Sequence, residues 1–126
     1  MAGRCILVID DEDDIREVAQ LSLEAVGGYE VLTAASGREG LDTARSEQPD
    51  AILLDWMMPD MDGPDTFEQL RSDASIRDIP VVMLTAKVQA ADRLRLADLG
   101  VNAVLSKPFE PMELANQVGR ALGWVR

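Results

Sequence analysis

Apolar runs of strand length constrain this chain more than any other feature. They are Cys5-Ile6-Leu7-Val8-Ile9, Ala51-Ile52-Leu53-Leu54, Val81-Val82-Met83-Leu84 and the shorter Ala103-Val104-Leu105. None of them alternates polar with apolar residues. An unbroken apolar strand has both faces covered, which is the condition of a parallel sheet between two helical layers. The segments between the runs carry helix-period patterns, so the chain reads as successive strand–helix units. The predicted strands are 5–10, 30–34, 51–55, 80–85 and 102–105, and the predicted helices 13–26, 37–47, 64–72, 89–99 and 110–122.

Local signals punctuate these elements. Ile15, Val18, Ala19, Leu21, Leu23 and Val26 predict one broad apolar face on the first helix, ended by Gly27-Gly28. Ser36 is placed to cap the second helix, with Glu39 three residues on as a capping box. Pro49 separates that helix from the third strand. Asp62 or Gly63 starts the third helix, with Pro64 tolerated in its first turn. Gly100 ends the fourth. Met112, Leu114, Ala115, Val118 and Leu122 form a stripe on the fifth, most of it expected in the core. No repeat, low-complexity tract or linker interrupts the chain, so one domain over 1–126 is expected.

With 126 residues and 47% hydrophobic content, the chain can bury a sizeable core. Its apolar runs are too short to span a membrane as helices. Only Met1-Ala2-Gly3-Arg4 precede the first run, so no signal peptide is expected. The single Cys5 cannot form an internal disulfide, which fits a cytoplasmic setting, and its place in a strand predicts a buried core residue. The formal net charge of −11 makes direct binding to a phosphate backbone unfavourable and suits basic partners. Histidine is absent, which excludes histidine acid–base catalysis and histidine metal ligands.

Each strand-like run gives way to polar residues at the edge of the chemistry. Asp10-Asp11 close the first, Asp55 the third, Thr85 the fourth, and Ser106-Lys107 the fifth. In a doubly wound sheet of order 2-1-3-4-5, ligands bind beyond the carboxyl ends of the strands, at the switch point between strands one and three. The carboxylates flank that crevice. Three carboxylates packed together repel one another and become tolerable around a hard cation. Mg²⁺ suits such an oxygen set better than a transition metal does, because no softer ligands cluster here. Asp10-Asp11 alone could be a pair of helix caps, but sharing an edge with Asp55 favours the metal. Thr85 reads equally well as a β-branched strand residue. Lys107, held between a buried run and a proline, is poorly placed to be an ordinary surface lysine. Pro59, Asp60, Asp62 and Gly63 read as turn residues.

Four blocks, in order and at matching spacing, make the chain resemble the response-regulator receiver domain of two-component signalling. They are Val8-Ile9-Asp10-Asp11; Leu53-Leu54-Asp55 with Met58-Pro59-Asp60-Met61-Asp62-Gly63; Leu84-Thr85-Ala86; and Lys107-Pro108-Phe109. The resemblance covers essentially the whole chain. It implies a flavodoxin-like (βα)5 fold and a Mg²⁺ cofactor, with Mn²⁺ able to substitute. Asp55 would be the phosphoacceptor. Asp11 would ligate the metal directly, Asp10 through metal-bound water, and Met57 through its backbone carbonyl. Thr85 would donate to a phosphoryl oxygen, Lys107 would neutralise another, and the Lys107-Pro108 bond would be cis. The chain would catalyse only its own phosphorylation and dephosphorylation.

With no histidine of its own, the chain would need a histidine kinase or histidine phosphotransfer protein as donor. Its output would go to a downstream protein, without direct contact to nucleic acid or membrane. The implied output face is predicted helix 89–99, strand 102–105 and helix 110–122. One departure concerns the relay to that face: Val104 stands three residues before the lysine, where the family often has an aromatic, so a muted repacking is expected. A haloacid-dehalogenase-like enzyme would need a second Asp where Met57 stands. A flavin module would need a Ser/Thr/Gly loop in place of Asp-Asp-Glu-Asp-Asp. A pseudo-receiver would normally lack one of the acidic residues or the lysine.

Overall fold

A computed structural model describes residues 4–59, 61–86, 98 and 100–124. Five parallel strands form one sheet in the order β2-β1-β3-β4-β5. They are β1 Cys5–Ile9, β2 Glu30–Ala34, β3 Ala51–Asp55, β4 Val81–Thr85 and β5 Ala103–Ser106. Four helices are described: α1 Asp13–Ala25, α2 Gly37–Glu47, α3 Gly63–Ser72 and α4 Leu114–Ala121. Predicted helix 89–99 lies outside the described residues except for Asp98, and Asp60 lies outside them too.

The unbroken apolar runs are explained by two cores. Leu7, Ile9, Ile52, Leu54, Val81 and Met83 face one side of the sheet, where Leu41 and Ala44 of α2 and Phe67 and Leu70 of α3 cover them. Ile6, Val8, Leu53, Val82 and Leu84 face the other, against Ala19 and Leu23 of α1 and Leu114, Ala115 and Val118 of α4. Alternation within each strand therefore feeds two layers rather than core and solvent. Val104 packs against the α2–α3 side, and Leu105 against the α1–α4 side.

The caps fall at the expected residues, with one half of the capping box formed at Ser36. Ser36 Oγ accepts from Glu39 N at 3.1 Å, and Asp62 Oδ1 accepts from Asp65 N at 2.9 Å to cap α3. Gly28 takes the left-handed conformation (φ 70°) that closes α1.

Three expectations need correction. The apolar face of α1 is narrower: Ala19 and Leu23 are buried, whereas Val18, Leu21 and Val26 are exposed, because the sheet covers only one arc of the helix. The last helix begins at Leu114 rather than 110. Residues 111–113 form a turn instead, in which Ser22 Oγ donates to the Pro111 carbonyl, and Met112 is exposed. Cys5 is only half-buried at the head of β1. Burial, then the charges of Glu30, Asp50 and Glu47, raise its thiol pKa, so it is not an activated nucleophile.

Gly63 joins the fold to the site by close approach. A Cβ there would lie 2.6 Å from the Asp55 carbonyl oxygen and 2.7 Å from Trp56 Cα, and Gly63 N donates to the Trp56 carbonyl at 3.0 Å. These neighbours are backbone and cannot step aside. Gly63→Ala is expected to destabilise the protein by about 1–3 kcal/mol, the usual cost of overpacking. Urea unfolding should show a lower midpoint at unchanged slope; wild-type stability in the variant would mean that the approach is looser than described.

Candidate functional site

Parallel pairing brings the carboxyl ends of the strands to one edge, and register decides which residues are neighbours there. Ile9 pairs with Leu54, Asp55 with Leu84, and Thr85 with Ser106. Asp10 therefore follows β1 beside Asp55 on β3. The backbone ladder runs on past the strand ends. Asp10 N donates to the Ala34 carbonyl at 3.1 Å, Trp56 N to Leu84 at 3.0 Å, and Lys107 N to Thr85 at 2.8 Å. Alternation does the rest. Val8, Leu53 and Leu105 pack on the α1–α4 side; two residues on from each stand Asp10, Asp55 and Lys107. The three charged residues continue one side of the sheet over its edge.

They meet. Lys107 Nζ lies 2.8 Å from Asp10 Oδ2 and 3.2 Å from Asp55 Oδ1, with Glu12 Oε1 further off at 3.8 Å. Asp10 is 1% exposed and Asp55 3%. Asp10 Oδ1 accepts from Glu12 N at 2.9 Å, and Asp55 Oδ1 accepts from Met57 N at 3.3 Å. Asp55 Oδ2 is buried and, among the described residues, has no hydrogen-bond partner. The Lys107–Pro108 peptide is cis, as the resemblance implied.

The electrostatics follow from this crowding. Burial, then the Asp10 charge, push the Asp55 carboxyl up to about 6, against the opposing pull of Lys107. For Lys107, burial works to lower its pKa, but Asp10 and Asp55 outweigh burial and the net shift is upward. The two carboxylates favour the charged form of the lysine.

Oxygens of Asp10, Asp11 and Asp55 all lie within 4.8 Å of one another, with Asp11 exposed at the mouth. The residues fit a hard divalent cation. The donors are all oxygen, one of them is a buried carboxylate oxygen left without a partner among the described residues, and Lys107 is shared by Asp10, Asp55 and Glu12. Asp11 is exposed, so the mouth of the site meets solvent. Thr85 is buried at the end of β4, opposite Ser106 and one residue beyond Leu84, the partner of Asp55. Met57 follows Asp55 directly past Trp56, its side chain 64% exposed, and Trp56 is half-buried alongside.

Two residues at the site went unnoticed in the sequence. Glu12 closes the Asp10 turn and stands near Lys107. Arg16 Nη1 donates to the Asp10 carbonyl at 2.7 Å while Nη2 pairs with Asp13. Its one visible signal was a lone cation among acids, in Asp-Glu-Asp-Asp-Ile-Arg-Glu.

Comparison with known proteins agrees with the geometry. A family model described as the response regulator receiver domain matches residues 6–119. The phosphate regulon transcriptional regulatory protein PhoB of Pseudomonas aeruginosa is 37% identical over 122 residues, covering 97% of this chain and 53% of that protein. The alkaline phosphatase synthesis transcriptional regulatory protein PhoP of Bacillus subtilis is 42% identical over 113 residues, covering 90% and 46%. The chain spans about half the length of these curated relatives. Among solved structures, the chemotaxis protein CheY4 of Vibrio cholerae superposes with a TM-score of 0.88 at 32% identity, covering 95% of this chain and 99% of that one. No helix among the described residues is long and apolar enough to cross a membrane. With the match over nearly its whole length and the acid–lysine edge in place, this chain belongs to the response regulator receiver domain family.

Proposed function

We propose that Asp55 accepts a phosphoryl group from a phosphohistidine on a partner protein, in a reaction that requires Mg²⁺, and that residues 1–126 act as one receiver domain. The observation that carries this reading is the edge itself: a buried carboxylate with one oxygen unpartnered, facing a lysine and two further acids. An Asp55 oxygen attacks phosphorus as the phosphorus–nitrogen bond to the donor imidazole breaks, and the imidazole keeps the electron pair. Such transfer needs positioning and charge neutralisation more than covalent machinery. Lys107 meets one phosphoryl oxygen and the Thr85 hydroxyl donates to another. A divalent cation held by Asp11, Asp55 and the Met57 carbonyl, with Asp10 acting through water, would supply the remaining charge neutralisation. Mn²⁺ has the hard-ligand preference to replace Mg²⁺.

Output is proposed to pass to a protein partner through the face that includes β5 and α4. A charge-assisted hydrogen bond such as Thr85 would make is worth about 1.5–3 kcal/mol. Inverting a 1:99 population needs about 5.5 kcal/mol, so Thr85 alone does not complete the switch. PhoB and PhoP are named as transcriptional regulators, and each is about twice as long as this chain. Direct nucleic-acid contact by residues 1–126 remains disfavoured by the charge of −11; a DNA-binding partner domain would be compatible with the reading.

Incubation with acetyl phosphate and Mg²⁺ should add ~80 Da to the protein, and chelation or Asp55→Asn should abolish the gain. An unmodified protein, or the same modified peptide in the variant, would overturn the proposal. Val104 in place of an aromatic predicts small amide shift changes along β5 on beryllofluoride binding. Large changes there would show an undiminished relay.

The raised Asp55 pKa gives a further expectation. A folded value near 6 exceeds the unfolded carboxylate value of about 3.9, so the folded state holds the proton more tightly. This contribution to stability is therefore lost as pH rises through about 6. Without metal at pH 7, Asp55→Asn should be more stable than wild type by about 1–3 kcal/mol. The gap should narrow as pH falls through 6 and close near pH 4. Parallel melting curves for the two proteins across that range, showing a constant gap, would mean that Asp55 is not strained as described.

A further inference from the structure

We propose that Arg16 is a positioning residue for the metal site, one that sets the direction in which Asp11 leaves β1; the inference rests on the metal reading above. Asp10 is pinned by its own bonds. Its amide joins the Ala34 carbonyl, Oδ1 accepts from Glu12 N, and Oδ2 faces Lys107. Asp11 has no such hold. Its carboxylate is exposed and, among the described residues, makes no hydrogen bond or ion pair, yet it must reach within 4.8 Å of Asp10 and Asp55. Its aim therefore depends on the backbone that carries it.

That backbone is the Asp10–Asp11 peptide, and Arg16 grips it. Nη1 donates to the Asp10 carbonyl oxygen at 2.7 Å, and the opposite arm of the fork is anchored on Asp13. The guanidinium is planar, so fixing two of its nitrogens fixes the plane of the group and restricts rotation of the peptide it holds. The side chain is only 18% exposed, and Arg16 N also donates to the Glu12 carbonyl at 3.0 Å, rooting the residue in the first turn of α1. Arg16 thus ties the rigid start of α1 to the one peptide that aims the outermost acid. Partners of this kind, one bond removed from a ligand, typically cost about 10–100-fold in metal affinity when removed.

The electrostatic alternative has the opposite sign. A cation beside a cation site weakens metal binding by repulsion, so if Arg16 acted only through charge, deleting it would tighten Mg²⁺. If Arg16 were merely structural, its loss would lower the melting temperature and leave the affinity of the folded protein unchanged.

Calorimetric titration of Mg²⁺ into wild type, Arg16→Ala and Arg16→Lys separates these cases. The expected result is binding weakened about tenfold in Arg16→Ala. Arg16→Lys keeps the charge but not the fork and should fall between wild type and Arg16→Ala. Affinity in Arg16→Ala that is tighter than wild type, or within twofold of it, would overturn the proposal. Should Arg16→Ala fail to fold, Arg16→Lys decides alone: binding at least twofold weaker supports the fork, and unchanged binding refutes it. A wild-type protein that takes up no Mg²⁺ would instead remove the metal reading, and this inference with it.

Discussion

Two buried carboxylates sharing one ammonium are never fully satisfied by it. Lys107 stands 2.8 Å from Asp10 and 3.2 Å from Asp55, and neither contact cancels the repulsion between the acids. Desolvation makes the arrangement costlier still, because a charge removed from water gains less from its partner than it loses. The protein tolerates this tension because the strands that carry the acids are covered on both faces and cannot retreat. On the proposed reading, a metal and a phosphoryl group would offer relief in different ways. The first would add the missing positive charge. The second would give Lys107 another anion to hold and convert the Asp55 carboxylate into an acyl phosphate.

The rest of the molecule serves that edge by limiting movement. Leu53, Leu54 and Ile52 of β3 are essentially inaccessible to solvent, so Asp55 is carried by a strand packed on both faces. Behind it, Gly63 packs backbone on backbone against Asp55 and Trp56, so the start of α3 is pressed against Asp55. The arginine of α1 holds the turn after β1. Far from the edge, Arg45 joins α2 to Asp73, whose carboxylate also accepts from Ser75; these bonds hold its pKa down to about 2 and close the helix layer on that side.

The sheet order, the strands and the carboxylate edge were legible because they rest on short-range patterns: unbroken apolar runs, and polar residues where the runs stop. The bounds of α2 and β3 were legible to the residue, since Ser36 and Pro49 mark their surroundings unambiguously. The extent of burial on α1 was not. Val18 and Leu21 look like core residues in a periodic pattern, and only the position of the sheet decides that they are exposed. The start of α4 was obscured because Ser22, 89 residues away in sequence, takes the Pro111 carbonyl. Arg16 was illegible for a similar reason: a cation in an acidic stretch gives no sign of which oxygen its side chain will choose.

The alternation that sends Val8, Leu53 and Leu105 to one layer also sends Asp10, Asp55 and Lys107 over the same side of the edge. Whether each charge arrives is thus a matter of odd and even. The connections at the opposite end of the sheet can lengthen without disturbing the site, because they only return the chain to the next strand; the turns at the edge, which carry Glu12, Arg16 and Gly63, lack that freedom. A strand cannot change by one residue between its core contacts and its terminal charge, since that single step would turn the side chain toward the opposite layer. Changes of length are therefore expected in the connections far from the edge, while the strands must keep a strict count.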